Sequence, residues 1–259
     1  MARFKLTIEY DGTAYKGWQI NKGESTIQGK LIEACETVFN TPKLELYGAG
    51  RTDAGVHATG QVAHLDVETN LKPIQIQHKI NDLLPSTINI LKIEMTQPRF
   101  HARHHATARS YVYVISKRRT ALFKKNVWWI KDNLNIDAME KASKTFLGLQ
   151  NFQSFGRSTK QDESTKVEIQ HIGIHQQGNA IVIHIIGSHF LWNQVRRMIG
   201  VLVEVGRGKM NISDIKSFLK KVSERPAQLT APPSGLYLDH VYYENEEPSI
   251  HPIFPVNIA

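Results

Sequence analysis

The chain has 259 residues, 41% hydrophobic and 22% charged, a balance that favours a packed core over disorder and suits two ordinary domains or one large one. No run of about 18 apolar residues occurs, so no membrane-spanning helix is expected, and the single cysteine, Cys35, excludes an intrachain disulfide. The formal charge of +8 at pH 7 fits a polyanionic partner such as nucleic acid, or simply a solvated basic face.

Phe4, Leu6, Ile8 and Tyr10 alternate with Lys5, Thr7 and Glu9, the period of a half-buried strand. No signal-peptide core precedes it, which together with the lone cysteine suits a cytoplasmic setting. Asp11-Gly12 ends the strand with a turn. Ser25 with Gln28 reads as a capping box, and Ile27, Leu31, Ala34, Cys35 and Val38 then recur at helical spacing, which predicts a helix over 26–39. Leu44 and Leu46, then Val62 to Val67, predict two strands around a glycine-rich loop. Residues 73–84 read as a helix with Ile76, Ile80, Leu83 and Leu84 on one face and Pro85 as its stop. Ile88, Ile90, Leu91 and Ile93 make a further strand. The order is β-α-β-β-α-β, that of a ferredoxin-like unit.

Phe100 to Ala108, rich in His and Arg, reads as a link that divides the chain into domains 1–104 and 105–259. Beyond it, Tyr111 to Ile115 is a strand, and Asp137 with Glu140 is a capping box opening a helix that ends at Gly148. Ile181 to Ile186 is a nearly continuous apolar strand, and Val195, Met198, Ile199, Leu202 and Val203 share one helix face. Ser213 is expected to cap a short helix carrying Ile215, Phe218, Leu219 and Val222; Tyr237 to Tyr243 is the last strand. The tail after Glu244, with three prolines, is expected to pack poorly. Both halves mix strands and helices alike, an α+β class.

The segment Gly48-Ala49-Gly50-Arg51-Thr52-Asp53-Ala54-Gly55-Val56-His57-Ala58 sets one carboxylate in a glycine-rich loop, where unusual backbone angles and close approach of a ligand are possible. It is neither a phosphate-binding P-loop, lacking Gly-Lys-Ser/Thr, nor a dinucleotide fingerprint, its glycine spacing being wrong. Read plainly, it is also a tight connection in which Asp53 bonds its own backbone.

Gly50-Arg51-Thr52-Asp53-Ala54-Gly55-Val56-His57 resembles the signature of the TruA family of tRNA pseudouridine synthases. Other blocks follow in family order: Glu9-Tyr10-Asp11-Gly12-Thr13 with Tyr15 and Gly17-Trp18-Gln19; Phe100-His101-Ala102-Arg103; Ala106-Thr107-Ala108-Arg109-Ser110-Tyr111; Phe190-Leu191-Trp192-Asn193-Gln194-Val195-Arg196-Arg197-Met198-Ile199-Gly200; and Gly235-Leu236-Tyr237-Leu238. The resemblance implies two ferredoxin-like, RRM-like halves joined into one extended, mainly antiparallel sheet with an active-site cleft between them. It implies a homodimer that needs neither metal nor cofactor and acts on the anticodon arm of tRNA, at uridines 38 to 40. It makes Asp53 the catalytic carboxylate, Tyr111 the ring against the target base, Arg51 the residue that displaces that base, and Arg196 the partner of the aspartate. Leu236 is taken with these as a substrate contact.

Competing readings remain for the other features. His101, His104 and His105 suggest a metal-dependent hydrolase, but no cysteine or carboxylate joins them at ligand spacing, so phosphate contact or a polar structural role is expected and no metal site. Lys117, Arg118 and Arg119 form a basic run that serves either solvation or RNA phosphates. Of Trp128 and Trp129, one core and one interface ring is expected. Arg197 adjoins Arg196 but points about 100° away on a helix, so the two cannot serve one site. A non-catalytic RNA-binding protein of the same fold is the alternative to the enzyme.

Overall fold

The computed structural model describes residues 1–42, 44–157, 164–250 and 255–256. Its elements in chain order are β1 (Ala2–Tyr10), α1 (Ile27–Phe39), β2 (Leu46–Gly48), β3 (His57–Val67), α2 (Pro73–Asn81), β4 (Ile88–Met95), β5 (Ala108–Ser116), β6 (Trp128–Trp129), α3 (Ile136–Ser143), β7 (Gly148–Asn151), β8 (Lys166–Gln177), β9 (Ala180–Gly187), α4 (Gln194–Gly206), α5 (Ile212–Lys220), α6 (Arg225–Gln228) and β10 (Leu236–Tyr242). They fall into two α+β units, one of Met1–Thr107 with Tyr237–Glu246, the other of Ala108–Leu236 with the described part of Glu247–Ala259.

In the first unit the alternation of β1 is realised: Phe4, Leu6, Ile8 and Tyr10 are buried. β1 lies between β4 and β3, antiparallel to both, with Leu6 opposite Ala63 and Ile93. β3 carries two neighbours on its other edge. β2 pairs with its C-terminal half, Leu46 opposite Leu65, and β10 runs parallel to its first residues, Tyr237 opposite His57. The order β4-β1-β3-β2 is that of a ferredoxin-like sheet, as the element order predicts. Ile27, Leu31 and Cys35 of α1 and Ile76 and Ile80 of α2 supply the helical side of the core.

Several local expectations need correction. Thr26, not Ser25, caps α1, its side chain accepting from the Gly29 N–H; Gln28 turns inward instead and donates to the Leu46 carbonyl at 2.7 Å. α2 stops at Asn81, which leaves Leu83 outside the helix and 50% exposed. Leu91 is also exposed: the β1–β4 register slips between Thr7 and Ile8, so Leu91 is the extra residue of a bulge.

The second unit has strand order β5-β9-β8-β7, antiparallel throughout, with β6 added parallel to β5. β9 is buried along its whole length, which explains its unbroken apolar run. α4 is buried at nearly every position, not on one face only. β8 escapes sequence reading because its buried phase changes: Val167 and Ile169 alternate, then a bulge between Ile169 and His171 shifts the pattern to Ile172 and Ile174. Two caps are again displaced. Asn135, rather than Asp137, caps α3, which ends at Ser143, while Gly148 opens β7 at φ +80°. Asn211, with Asp214 in a capping box, begins α5, and Ser213 donates its hydroxyl to Asn211. Within the tail, residues 244–250 are exposed, as expected, but Val256 is buried; 251–254 and 257–259 lie outside the described residues.

Candidate active site

The loop 49–56 joins β2 to β3, and it is held by Tyr10, by the segment just after β1 and by β3 itself. The Trp18 N–H donates to the Thr52 carbonyl at 3.0 Å, and the Gly55 N–H to the Tyr15 carbonyl at 3.3 Å. The Tyr10 and Thr52 hydroxyls are 2.8 Å apart in the interior. The Gln61 amide donates to the Gly50 carbonyl at 3.0 Å, and the Ala49 N–H to Val62 at 2.7 Å. The approach is close enough to require glycine on the holding side. A Cβ at Gly17, itself at φ +95°, would lie 2.5 Å from the Thr52 carbonyl oxygen, and one at Gly12 would overlap the Val56 carbonyl.

The holding segment is in turn fixed to α1. Carbonyls of Gly17 and Trp18 accept from the Ile27 and Gln28 N–H groups, donors that a helix N-terminus otherwise leaves without partners. Trp18 is 1% exposed and fills the space above Gly48. Buried Gln28 accepts from the Ile20 N–H and from the Gln19 amide, both at 2.8 Å, and Gln19 in turn accepts from Arg51 Nε at 3.2 Å. Arg51 is therefore exposed but tethered, two residues from half-buried Asp53.

His57 closes the loop. Its ring stacks on Tyr237 at 4.8 Å, and its Nδ1 lies 3.2 Å from the Gly12 nitrogen and 3.1 Å from an Asp11 oxygen. One nitrogen cannot accept from Gly12 and donate to Asp11 together; the proton decides which. Burial raises the Asp11 pKa, but bonds from the Thr13 hydroxyl and N–H, with the His57 charge, outweigh it and hold the carboxyl below its usual value. These contacts give His57 an orienting part in the loop; the sequence places Tyr10, Gly12, Gly17 and Thr52 in family-like blocks and Gln28 in a capping box, but their clamping role depends on approach in space.

Tyr111, Arg196, Leu236 and the run 117–119 belong to the second unit. Tyr111 sits on β5, half-buried, with Phe190 edge-on at 5.1 Å. Arg196, in the first turn of α4, donates through Nε to the Ala231 carbonyl at 2.7 Å and through Nη1 to Asn193 Oδ1 at 3.0 Å, so its guanidinium is oriented, not snorkelling loosely. Leu236 is 5% exposed. Lys117, Arg118 and Arg119 are exposed after β5, and Arg119 lies over the Trp129 ring. Trp129 is 43% exposed, whereas Trp128 meets Tyr113 edge-on.

The histidines at the junction serve the backbone. His101 Nδ1 accepts from the Arg103 and His104 N–H groups, His105 Nδ1 from His101, and His64 Nδ1 from Ala102. Burial, then the neighbouring His101 and Arg3, pushes His64 down to about 4, so it stays neutral. Among the described residues no group of three or more His, Cys, Asp or Glu is arranged to hold a metal ion, and no helix is long and apolar enough to cross a membrane.

Residues 6–105 and 142–244 match the family model described as tRNA pseudouridine synthase. The first stretch contains the 49–56 loop and the second contains Arg196 and Leu236, while Tyr111 and residues 117–119 fall between them. The chain is 40% identical to the tRNA pseudouridine synthase A of Bartonella tribocorum, over 94% of this chain and 100% of that protein. It is 40% identical to that of Methylocella silvestris, over 94% and 99%. It is 37% identical to the tRNA pseudouridine synthase A 2 of Clostridium perfringens, over 94% and 100%.

Proposed function

Because the chain belongs to the tRNA pseudouridine synthase family, we propose that it isomerises uridine to pseudouridine in tRNA, with Asp53 as the reacting carboxylate. The observation that carries this reading is the clamped loop. Thr52 is pinned through its carbonyl and its hydroxyl, which fixes the backbone from which half-buried Asp53 projects. A fixed carboxylate suits a reaction in which bond angles, not redox chemistry, must be controlled.

In that reaction the N1–C1′ bond breaks, the ring turns, and a C5–C1′ bond replaces it. The proton on C5 is lost and N1 gains one, so no atom leaves and no electron acceptor is needed. Asp53 acts as nucleophile at C6 or C1′, or as the base that deprotonates the sugar. Each role requires the ionised form, which a neighbouring arginine favours; this is the part assigned to Arg196, whose fork also directs both carboxylate oxygens. The base is stacked in RNA and has to be flipped out at a cost of a few kcal/mol. Arg51 displaces it, Tyr111 and Leu236 receive it, and the Tyr111 phenol assists removal of the C5 proton. Lys117, Arg118 and Arg119 bind backbone phosphates. The target is the anticodon arm at positions 38, 39 and 40, and the enzyme works as a cytoplasmic homodimer without metal or cofactor.

Incubating the protein with unmodified tRNA transcripts and mapping pseudouridine nucleotide by nucleotide tests the proposal. Product confined to positions 38–40 is expected. Product elsewhere would correct the target, and tight binding without product would return the chain to a non-catalytic RNA-binding role.

A further inference from the structure

Helix N-termini carry partial positive charge, and acidic side chains are favoured there. The first turn of α4 has none; it carries Arg196 and Arg197 instead. Its N-cap residue, Asn193, is left-handed at φ 62° and makes no side-chain cap bond; its Oδ1 accepts from Arg196. A third cation is brought to the same end. Arg157 and Trp192 exchange backbone hydrogen bonds of 3.4 and 3.1 Å, and a Cβ on Gly156 would lie 2.4 Å from Leu191, so the two segments are in close contact.

Arg196 donates to Ala231 and Asn193. Arg197 differs. It is 8% exposed, and among the described residues its buried Nε has no hydrogen-bond partner. A guanidinium so placed is costly to the folded protein unless an anion meets it. Side chains on a helix lean back towards its N-terminus, and Arg197 stands in the first turn, where the N-cap residue makes no side-chain cap bond. Burial, then the nearby Arg157, depresses the Arg197 pKa, with Glu224 pulling the other way and Arg196 adding to the depression. Arg196 and Arg197 thus stand in the first turn at the positive end of a 13-residue helix, and the Arg157 backbone is bonded to the residue just before its cap.

We infer that the N-terminus of α4, with Arg197 and Arg157, binds one phosphodiester of the RNA backbone. The planar fork of Arg197 can hold two non-bridging oxygens, and the positive end of the helix dipole adds a field of the same polarity. The site is separate from the role given to Arg196, since the two side chains leave the helix about 100° apart. The identity of the ligand as RNA rests on the proposed function; the anion site itself does not.

Arg197→Gln keeps the length and removes the charge. The expected result is a pair of opposite changes. Thermal unfolding in phosphate-free buffer occurs at or above the wild-type temperature, because a buried cation is gone. Affinity for unmodified tRNA falls several-fold, and the slope of log K against log salt drops by about 0.7–0.9. Arg197→Lys should keep the slope and recover only part of the affinity. A lower unfolding temperature with an unchanged salt slope would overturn the site and make Arg197 a structural partner of Glu224. Inorganic phosphate provides a reading without RNA: it should raise the unfolding temperature of the wild type more than that of Arg197→Gln. Equal stabilisation overturns the site. Preferential stabilisation in a protein that makes no pseudouridine would leave the anion site standing and remove the enzymatic reading.

Discussion

The 49–56 loop and the first turn of α4 both present polar groups, and they do so in opposite ways. The loop is held at its backbone: Ala49, Gly50, Thr52 and Gly55 are bonded through carbonyl or N–H to the 15–18 segment or to β3, and Gly12 and Gly17 stand where no Cβ fits. The α4 turn is held by burial of the helix behind it and leaves guanidinium charge at the positive helix end. The first arrangement fixes where an atom is; the second fixes how much charge there is. Changes in the loop should therefore appear in turnover, and changes among the arginines and lysines of the second unit in affinity and salt dependence, apart from Arg196, which is both charged and oriented.

The largest effect is expected at Asp53. Asp53→Asn keeps the size and loses the charge, and turnover should fall at least ~10³-fold. Affinity for tRNA should stay within about tenfold, since phosphate contacts dominate binding. Single-turnover rates beside equilibrium binding check this, and near-normal turnover would remove the carboxylate from the chemistry. Next comes Gly17→Ala, which touches no proposed reacting group. Its Cβ would stand 2.5 Å from the Thr52 carbonyl oxygen, so the loop has to move. A displacement near 1 Å can cost ~100-fold, and that loss should fall on kcat with KM for tRNA little changed. Wild-type kcat in a folded Gly17→Ala protein would mean that this clamp does not set the position of Asp53.

The same contrast separates what the sequence made legible from what it did not. Strand β1, the α1 stripe and the ferredoxin order could be read because each obeys one period over its length. β8 could not, because a bulge changes its phase halfway, and Leu91 was misplaced for the same reason on β4. Helix starts were found to within a residue or two but the capping residue was misread at Thr26, Asn135 and Asn211, where several adjacent side chains could accept the same N–H. At the site, Arg51 and Asp53 stand in a loop whose glycines are visible in sequence, whereas Gly17, Tyr10 and Gln28 matter only through approach in space. The lack of a hydrogen-bond partner for Arg197 Nε among the described residues is equally invisible in one dimension.

Arg196 tests whether orientation or charge governs a residue of the second unit. Its Nε and Nη1 are engaged by Ala231 and Asn193, bonds that direct the fork. Lysine keeps the charge but not the planar fork that these bonds orient, so Arg196→Lys should lower turnover at least ~10-fold. Arg196→Ala should add little to the loss in Asp53→Ala, because members of one catalytic unit are not additive. Additive losses in that double variant, with the protein still folded, would separate the two residues.

The smallest effect on turnover is expected from the basic run. Lys117, Arg118 and Arg119 are exposed, and Arg119 lies over the Trp129 ring. Exposed charges of this kind contribute little to folding, so replacing all three by Ala should leave the unfolding temperature almost unchanged. If they meet RNA, fewer phosphates are neutralised in the variant and fewer counterions leave the RNA on binding. The slope of log K against log salt should then fall by ~0.7–0.9 for each phosphate no longer neutralised. Saturating tRNA should restore nearly full turnover, because nothing in the clamped loop has moved. A slope equal to that of the wild type would place the run on a solvated face. A loss of turnover that saturating tRNA does not restore would break the proposed division, since charge in the second unit would then be setting geometry as well as affinity.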